Sequence, residues 1–223
     1  MRHFSSIALV LALAAPAQAQ RPDFTYNAFS ASFTRTDLDH VTDDADSFTV
    51  AGSYETSDTF HLWGRVDRTA LDEDIDLPFL APGVGDLPRI ETKARSLGLA
   101  AGAGVHRDLT SNLSGYARLG IAYADSDVEV SASEVAFEGG VVVFEGDSLT
   151  ASDSSTDLVA LAGLRYNAAE RLELFGGISQ VGGDSTNGHA GVEFRFANGW
   201  GAQLAGVVGE DSQGVSLGVV RRF

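Results

Sequence analysis

The sequence predicts an all-β fold, a closed antiparallel up-and-down transmembrane β-barrel, with ten strands as the leading count and eight as the alternative. Three observations predict it. The N-terminus has the organisation of a secretory signal, and the remainder alternates apolar and polar residues in segments of about 9 to 11 residues, the length of a tilted membrane-crossing strand. Short and long connections alternate between most of these segments, as they do in membrane barrels.

Composition excludes several classes of protein. The 223 residues include 31 acidic and 15 basic side chains, which gives a formal net charge of -16. Because binding to nucleic-acid phosphates needs a basic face, no nucleic-acid partner is expected. The chain has no cysteine, which excludes a disulfide scaffold and a cysteine nucleophile. No motif calls for a cofactor, and none is expected.

Residues 1–19 have the three parts of a signal peptide. A basic start at Arg2 precedes a short apolar run, and the pattern Ala-Gln-Ala ends at Ala19. The apolar run is too short to cross a bilayer as a helix. We therefore expect cleavage after Ala19 and a barrel domain over residues 20–223.

The period-two pattern is clear in the segment 185–197. Val192 and Phe194 share one face of this segment. Glu193 and Arg195 share the other. A strand places successive side chains on opposite faces, so one face is apolar and the other is polar or small. Ten such segments occur, at 23–35, 46–56, 58–69, 93–106, 111–125, 154–166, 171–181, 185–197, 200–209 and 213–223.

The connections between these segments support hairpins. Those after the second, fourth, sixth and eighth segments are short, and the last of them contains the turn sequence Asn198-Gly199. Those after the first, third and fifth are longer, and the third long loop contains an apolar stretch at 135–144 that predicts a hairpin above the membrane. The connections after the seventh and ninth segments are short as well, which keeps the eight-strand count open.

The last segment adds a second kind of signal. Val215, Leu217 and Val219 share its apolar face, and Phe223 is its terminal residue. With this pattern the chain resembles the small outer-membrane β-barrels of Gram-negative bacteria, of the OmpA and OmpX type or the porin-like type. The resemblance implies that Phe223 is the insertion signal read by the barrel assembly machinery. It also implies an outer-membrane location in contact with membrane lipid and lipopolysaccharide.

Placing the apolar face toward lipid turns many charged side chains toward the lumen. Buried charges must be paired, because desolvation costs several kcal/mol per ion. We therefore expect a salt-bridge network that fills the barrel, with Arg65–Glu193 and Arg118–Glu55 as candidate gating pairs. The predicted network comprises Glu55, Arg65, Asp67, Arg118, Arg165, Glu173, Glu193 and Arg195.

Most of the acidic residues fall in the predicted outer loops. Alternating carboxylates are a feature of calcium loops, although Leu77 stands here where a calcium loop has glycine and Gly83 where it has glutamate. No metal site is assigned, and divalent ions bridging these carboxylates to lipopolysaccharide phosphates are the weaker form of the hypothesis. The candidate cation-binding loops are Asp72, Asp74 and Asp76 in the second loop, and Asp125, Asp127 and Glu129 in the third.

Two functions are carried forward from the sequence. The leading hypothesis is a structural or surface-interaction barrel with acidic extracellular loops, and the alternative is a narrow, weakly cation-preferring channel. A barrel enzyme is not expected. An outer-membrane protease of the omptin type needs more than the single pair Asp39-His40, and a lipid A deacylase needs a serine where Ala190 and Gly191 follow His189.

Overall fold

A computed structural model describes residues 24–38, 44–76, 89–132, 148–183 and 185–223. Within these ranges ten antiparallel strands close into one barrel, because each strand pairs with its neighbours in the chain and the first pairs with the last. The ten-strand prediction is confirmed, and the eight-strand alternative is wrong. The strands are β1 Ala28–Leu38, β2 Ala45–Glu55, β3 Phe60–Asp76, β4 Arg89–Thr110, β5 Leu113–Ala132, β6 Ser148–Ala169, β7 Leu172–Val181, β8 Ser185–Arg195, β9 Trp200–Val208 and β10 Ser212–Arg222.

Closure depends on the register between β1 and β10. Ala28 lies opposite Arg222 and Phe33 lies opposite Leu217, so both ends of the barrel domain lie at the same rim. The short turns that follow β2, β4, β6 and β8 lie at this rim, which we call the turn end. The opposite rim is the loop end. Gly199 has a φ of 80° in the turn between β8 and β9, a conformation that favours glycine.

The barrel is apolar outside and polar inside. Leu119 and Leu158 lie on the outer face with 70% and 77% of their surface exposed, as expected for side chains that contact lipid. Among the described residues, the buried hydrophobic side chains are Tyr26, Ala45, Val159 and Val220. The buried polar ones are His61, His106, Ser114, Arg165, Asn167, Glu173, Glu193 and Ser216. In the described part of the chain there is no helix long and apolar enough to cross a membrane.

Strands β3 to β6 are longer than the sequence predicts. They contain 17 to 22 residues, whereas the other six contain 9 to 11. β2 pairs with β3 only as far as Ala70, and β7 pairs with β6 only from Val159. Residues 71–76, 89–96, 126–132 and 148–157 therefore form a four-stranded extension at the loop end, which we call the projecting sheet. Residues 71–76, 89–92, 126–132 and 148–153 were predicted as loops because the polarity of the two faces is reversed in this sheet. In β5, Asp127 and Glu129 lie on the face that is apolar within the membrane, and Val128 lies on the lumen side.

The first strand begins later than predicted. The segment 23–35 was expected to be strand throughout, but β1 starts at Ala28. Residues 24–27 turn into the barrel at the turn end, where Tyr26 is buried. The apolar stretch at 135–144 and the proposed signal peptide lie outside the described residues.

Candidate functional site at the turn end

A charged pair between β6 and β7 lies at the centre of the turn end. Arg165 donates from Nε to Oε1 of Glu173 at 2.8 Å and from Nη2 to Oε2 at 2.9 Å. The two residues are diagonal neighbours across the hairpin, because Arg165 lies opposite Phe175 and Asn167 lies opposite Glu173. Glu173 is 1% exposed. This is a bidentate ion pair in a site that excludes water, the geometry that favours arginine over lysine.

Two further arginines join this pair. Arg195 Nη2 donates to Glu173 Oε2, and Arg222 Nη2 lies 3.3 Å from Glu173 Oε1. Arg222 also donates to Glu193, from Nε at 2.9 Å and from Nη2 at 2.5 Å. We call Arg165, Glu173, Glu193, Arg195 and Arg222 the ionic cluster. Three guanidiniums share two carboxylates in it, so the cluster carries one excess positive charge.

The excess positive charge is met by neutral acceptors. The backbone oxygen of Thr25 accepts from Arg165 Nη1 at 2.9 Å and from Arg222 Nη1 at 3.2 Å. Asn167 Oδ1 accepts from Arg195 Nη2 at 2.8 Å. Hydrogen bonds from charged donors are stronger than neutral ones, so these contacts hold residues 24–27 against the cluster. We call residues 24–27 the N-terminal plug.

Glu55 holds the other side of the plug. Its Oε1 accepts from the backbone N–H of Tyr26 at 2.5 Å, and its Oε2 accepts from Asn27 Nδ2 at 3.0 Å. The backbone N–H of Glu55 in turn donates to Asn27 Oδ1 at 2.8 Å. The plug is therefore fixed at both the cluster and β2.

The side chain of Tyr26 fills the space between the plug backbone and the barrel wall. It is 2% exposed, and its ring stacks on His106 with centroids 4.1 Å apart and on His61 at 5.0 Å. Its hydroxyl lies 3.1 Å from Ser114 Oγ, and the Arg165 guanidinium lies 4.8 Å from its ring centroid. A single aromatic side chain thus contacts groups from β3, β4, β5 and β6.

The two histidines form an ordered hydrogen-bonded chain. Arg118 Nε donates to His61 Nε2 at 2.9 Å, so this nitrogen is an acceptor and the ring carries its proton on Nδ1. His61 Nδ1 lies 3.1 Å from His106 Nδ1, which must therefore accept. The proton of His106 is then on Nε2, which lies 4.0 Å from Glu55 Oε1. The hydrogen-bonded chain runs from Arg118 to His106, and the carboxylate that holds the plug lies beyond hydrogen-bond distance from its end.

This arrangement predicts two different neutral tautomers at neutral pH. Nitrogen-15 NMR of the ring nitrogens should show His61 protonated on Nδ1 and His106 protonated on Nε2. Replacing Arg118 with methionine should allow His61 to exchange between tautomers, since the donor that fixes its Nε2 is lost. Identical tautomers at the two positions in the native chain would contradict the hydrogen-bonded chain described above.

Glycines on the lumen face make room for the large side chains of His61 and Tyr116. A Cβ built on Gly104 would lie 2.6 Å from the His61 ring, and one on Gly163 would lie 2.6 Å from the Tyr116 hydroxyl. Neither site has room for a side chain. Together with the plug and the cluster, these contacts bridge the lumen from β2 to β10 at the turn end, a layer that we call the closed section. A cavity of about 550 Å³ lies beside this layer, and Phe24, Asn27, Glu55 and His106 are among the residues that line it.

A comparison with known protein families identifies the family to which this barrel belongs. The family model described as "Outer membrane protein beta-barrel domain" matches residues 5–196. The chain belongs to this family. No curated protein matches it by sequence. In outer-membrane barrels the short turns face the periplasm and the longer connections face outward.

Solved barrels of similar fold share little sequence with this outer-membrane barrel. The KdgM porin has 10% identity over 87% of this chain and 99% of its own, with a TM-score of 0.44. Ail, the attachment invasion locus protein of Yersinia pestis, in complex with sucrose octasulfate, has 16% identity over 88% and 96%, with a TM-score of 0.40. Neisserial surface protein A has 18% identity over 88% and 95%, with a TM-score of 0.33.

The structure brings some of the predicted lumen charges together and separates others. The eight residues of the predicted network all face the lumen of this outer-membrane barrel by register. Neither candidate gating pair forms: Arg65 Nε lies 2.9 Å from Asp67 on its own strand, and Arg118 contacts His61. Arg65 is 53% exposed although it faces inward, so the lumen is wet above the closed section.

The residues of the candidate cation-binding loops lie in strands. Asp72, Asp74 and Asp76 lie in β3, and Asp125, Asp127 and Glu129 lie in β5. Same-face residues of a strand are spaced about 6.6 Å apart along it, whereas the ligands of a calcium loop surround one ion. Within the described ranges, no group of three or more histidine or acidic side chains is arranged to hold a metal.

Lys93 lies between the two acidic strands of the projecting sheet. It is opposite Asp72 on β3 and opposite Glu129 on β5. Its Nζ lies 2.6 Å from Glu91 Oε1, and this hydrogen bond and the negative charge of Glu91 raise the pKa of Lys93. A cation of the chain itself therefore lies among these carboxylates.

Sequence reasoning missed the plug and its receptor groups. Phe24 and Tyr26 were placed in a strand, and Ser114 and His106 were assigned no part in closing the lumen. The available signal was parity: Phe24 and Tyr26 have the same parity as Ala28, which faces inward, and not that of Phe29, which faces lipid.

Proposed function

We propose that this protein is a non-conducting outer-membrane barrel that presents the projecting sheet for contact with molecules outside the cell. What supports the proposal is the layer of contacts across the lumen that the plug and the ionic cluster form at the turn end, the rim that we assign to the periplasm. A solute entering the wet upper lumen meets this section, and passage requires breaking buried ion pairs. Removing one partner of such a pair costs about 3 to 5 kcal/mol, which opposes the alternative of an open cation channel.

The projecting sheet supports an interaction role. Residues 148–157 of β6 have no strand partner on the β7 side, and residues 71–76 of β3 have none on the β2 side, among the described residues. Unpaired backbone groups along a strand edge can bind an extended segment of another protein. The inner side of the sheet also exposes Leu149 and Val128, apolar side chains that a partner would cover.

We propose a non-enzymatic role for the histidines. His61 and His106 bond to each other, to Arg118 and toward Glu55, so their nitrogens have structural partners. His189 lies beside Phe175, with ring centroids 6.4 Å apart. These contacts support a role in packing rather than in proton transfer to a substrate.

We also infer that the chain reaches its place by the usual route for such barrels. Residues 1–19 would direct export and be removed after Ala19, and Phe223 would be read by the barrel assembly machinery. In support, Phe223 lies exposed beside the turn end, and its backbone N–H donates to Asn27 O at 3.2 Å. Lipopolysaccharide and membrane lipid are the partners of the outer face.

Recordings in planar lipid bilayers test the proposal. Purified, refolded chain should insert without reproducible current steps at neutral pH and moderate salt. Insertion is verified independently by resistance of the strands to added protease. Stable ohmic steps that scale with salt concentration would favour the channel and contradict the closed barrel.

A further inference from the structure

The lipid-facing surface of β2 to β4 contains a groove, because small residues stand there in place of the large apolar side chains that cover the rest of this surface. Gly52, Gly64 and Ala101 lie in one cross-strand row, each opposite the next. Phe29 and Ile121 continue the row on either side. The groove has a volume of about 590 Å³, and Val50, Val66, Leu99 and Tyr123 are among the side chains that line it.

A groove in this surface has to be occupied in the membrane. Its lining is almost entirely apolar, and an empty space there would leave those atoms without dispersion contacts. It lies in the band of exposed hydrophobic residues that faces hydrocarbon, so a flexible acyl chain can enter it from the bilayer. The three small residues let such a chain approach the backbone closely.

Two arginines lie toward the loop end of this groove. Arg68 is the next outward residue of β3 after Val66, and it lies between Phe48 and Leu97 on the neighbouring strands. Arg95 is its diagonal neighbour on β4, about 7 to 8 Å away between backbones. Both side chains are exposed, and in the described part of the chain neither forms an ion pair.

The described carboxylates near Arg68 and Arg95 do not form ion pairs with them, so both guanidiniums are available to bind an external anion. Asp46, opposite Ala70, lies 3.8 Å from Arg35 Nε and so already has a basic partner. Asp127 lies opposite Arg95, yet the two side chains do not come within ion-pair distance of each other. Arginine binds phosphate in a bidentate manner, and a pair of them matches a headgroup that carries more than one phosphate.

We propose that the groove and the two arginines form one binding site for a lipopolysaccharide molecule. An acyl chain lies over Gly52, Gly64 and Ala101, and the lipid A phosphates contact Arg68 and Arg95. Lipopolysaccharide fills the apolar groove with an acyl chain and also supplies phosphates for the two arginines. A second copy of the chain would bring the same arginines into opposition, and a phospholipid would offer one phosphate to the two arginines.

Binding of purified bisphosphorylated lipid A to the refolded full chain in detergent tests this site. Native mass spectrometry gives the stoichiometry and the relative affinity, with dephosphorylated lipid A as the second probe. The native chain should bind one molecule and prefer the phosphorylated form by at least about tenfold, as charged hydrogen bonds of this kind provide. Phosphatidylglycerol should not compete at equal concentration.

Two kinds of variant separate the halves of the site. Arg68→Gln with Arg95→Gln should remove the preference for phosphate, whereas Arg107→Gln, on the same strand at the turn end, should leave it unchanged. Gly64→Leu should weaken binding of both probes, because its Cβ has ordinary contact distance to Ala100 O at 3.7 Å and its side chain fills the groove. Gly206→Leu is the matched control, since nothing lies within 4 Å of its Cβ on the lipid face of β9.

Several outcomes would overturn the proposal. An unchanged phosphate preference in the double arginine variant would remove the headgroup half of the site. Equal binding by Gly64→Leu and Gly206→Leu would remove the acyl half. A native dimer that only Gly64→Leu dissociates would assign the groove to a second copy, and equal competition by phosphatidylglycerol would assign it to phospholipid.

Discussion

Replacing Glu173 with glutamine is expected to lower the free energy of unfolding by about 3 to 5 kcal/mol, the range found when one partner of a buried ion pair is removed. This carboxylate accepts hydrogen bonds from Arg165, Arg195 and Arg222 while it is 1% exposed. Without its charge, the buried guanidinium of Arg165 and the partly buried ones of Arg195 and Arg222 share Glu193 alone. Their mutual repulsion and desolvation then oppose folding at the turn end.

Urea titration of the chain folded in lipid vesicles measures this loss. Glu170→Gln is the matched control, because Glu170 is exposed at the turn that follows β6, and its replacement should change stability by less than about 0.5 kcal/mol. Similar midpoints for the two variants would show that the ionic cluster contributes little to stability. The expected contribution of the cluster to the free energy of unfolding would then be wrong.

Replacing both Tyr26 and Arg165 with alanine is expected to convert a silent barrel into a conducting one. The side chain of Tyr26 fills the space between the plug backbone and the two histidines. Arg165 donates a hydrogen bond to the plug at Thr25 O. Removing Arg165 leaves two arginines and two glutamates in the cluster, so its charges balance, and Glu173 keeps Arg195 and Arg222 as partners. Water and ions can then occupy the volume of the lost side chains, and current steps should appear in planar bilayers.

A control variant distinguishes this opening from general loosening of the barrel. Tyr54→Ala removes the same side chain from the lipid face near the turn end, where Tyr54 is 63% exposed. This variant should remain silent. If it conducts like the double variant, the current reports a damaged barrel wall. If both stay silent, the plug is not what closes the lumen.

The strand count and the inward faces were within reach of sequence reasoning. Period-two alternation survives wherever one face meets lipid and the other does not, and this holds for segments such as 185–197. Parity then assigns Glu193 and Arg195 to the lumen without any coordinates. The ten-strand barrel follows because no edge can be left unpaired in hydrocarbon.

The partners of the lumen charges could not be predicted from the same pattern. Whether Arg222 contacts Glu193 or another acid depends on the stagger between β10 and β8, which are not adjacent in the sheet. Stagger accumulates around the barrel and leaves no mark in one strand's sequence. Arg65 and Asp67, two residues apart on one face, were the pair that spacing alone could have suggested.

The plug and the projecting sheet were missed for opposite reasons. Residues 24–27 alternate as a strand would, but the large side chains Phe24 and Tyr26 fall on the inward parity, where the rest of β1 carries small residues. The projecting sheet keeps both strand geometry and alternation, but acidic residues such as Asp127 and Glu129 occupy the face that is apolar within the membrane. The hydrophobic pattern therefore predicts a first strand that begins too early and four strands, β3 to β6, that are too short.

Sided labelling of a single cysteine tests the closed periplasmic end most directly, and the chain has no cysteine of its own to interfere. Ala122→Cys places a thiol on the lumen face of β5, in the row of Ala100 and above the closed section. A charged, membrane-impermeant thiol reagent should label it when supplied from the loop end and not when supplied from the turn end. Equal labelling from both sides would contradict the account.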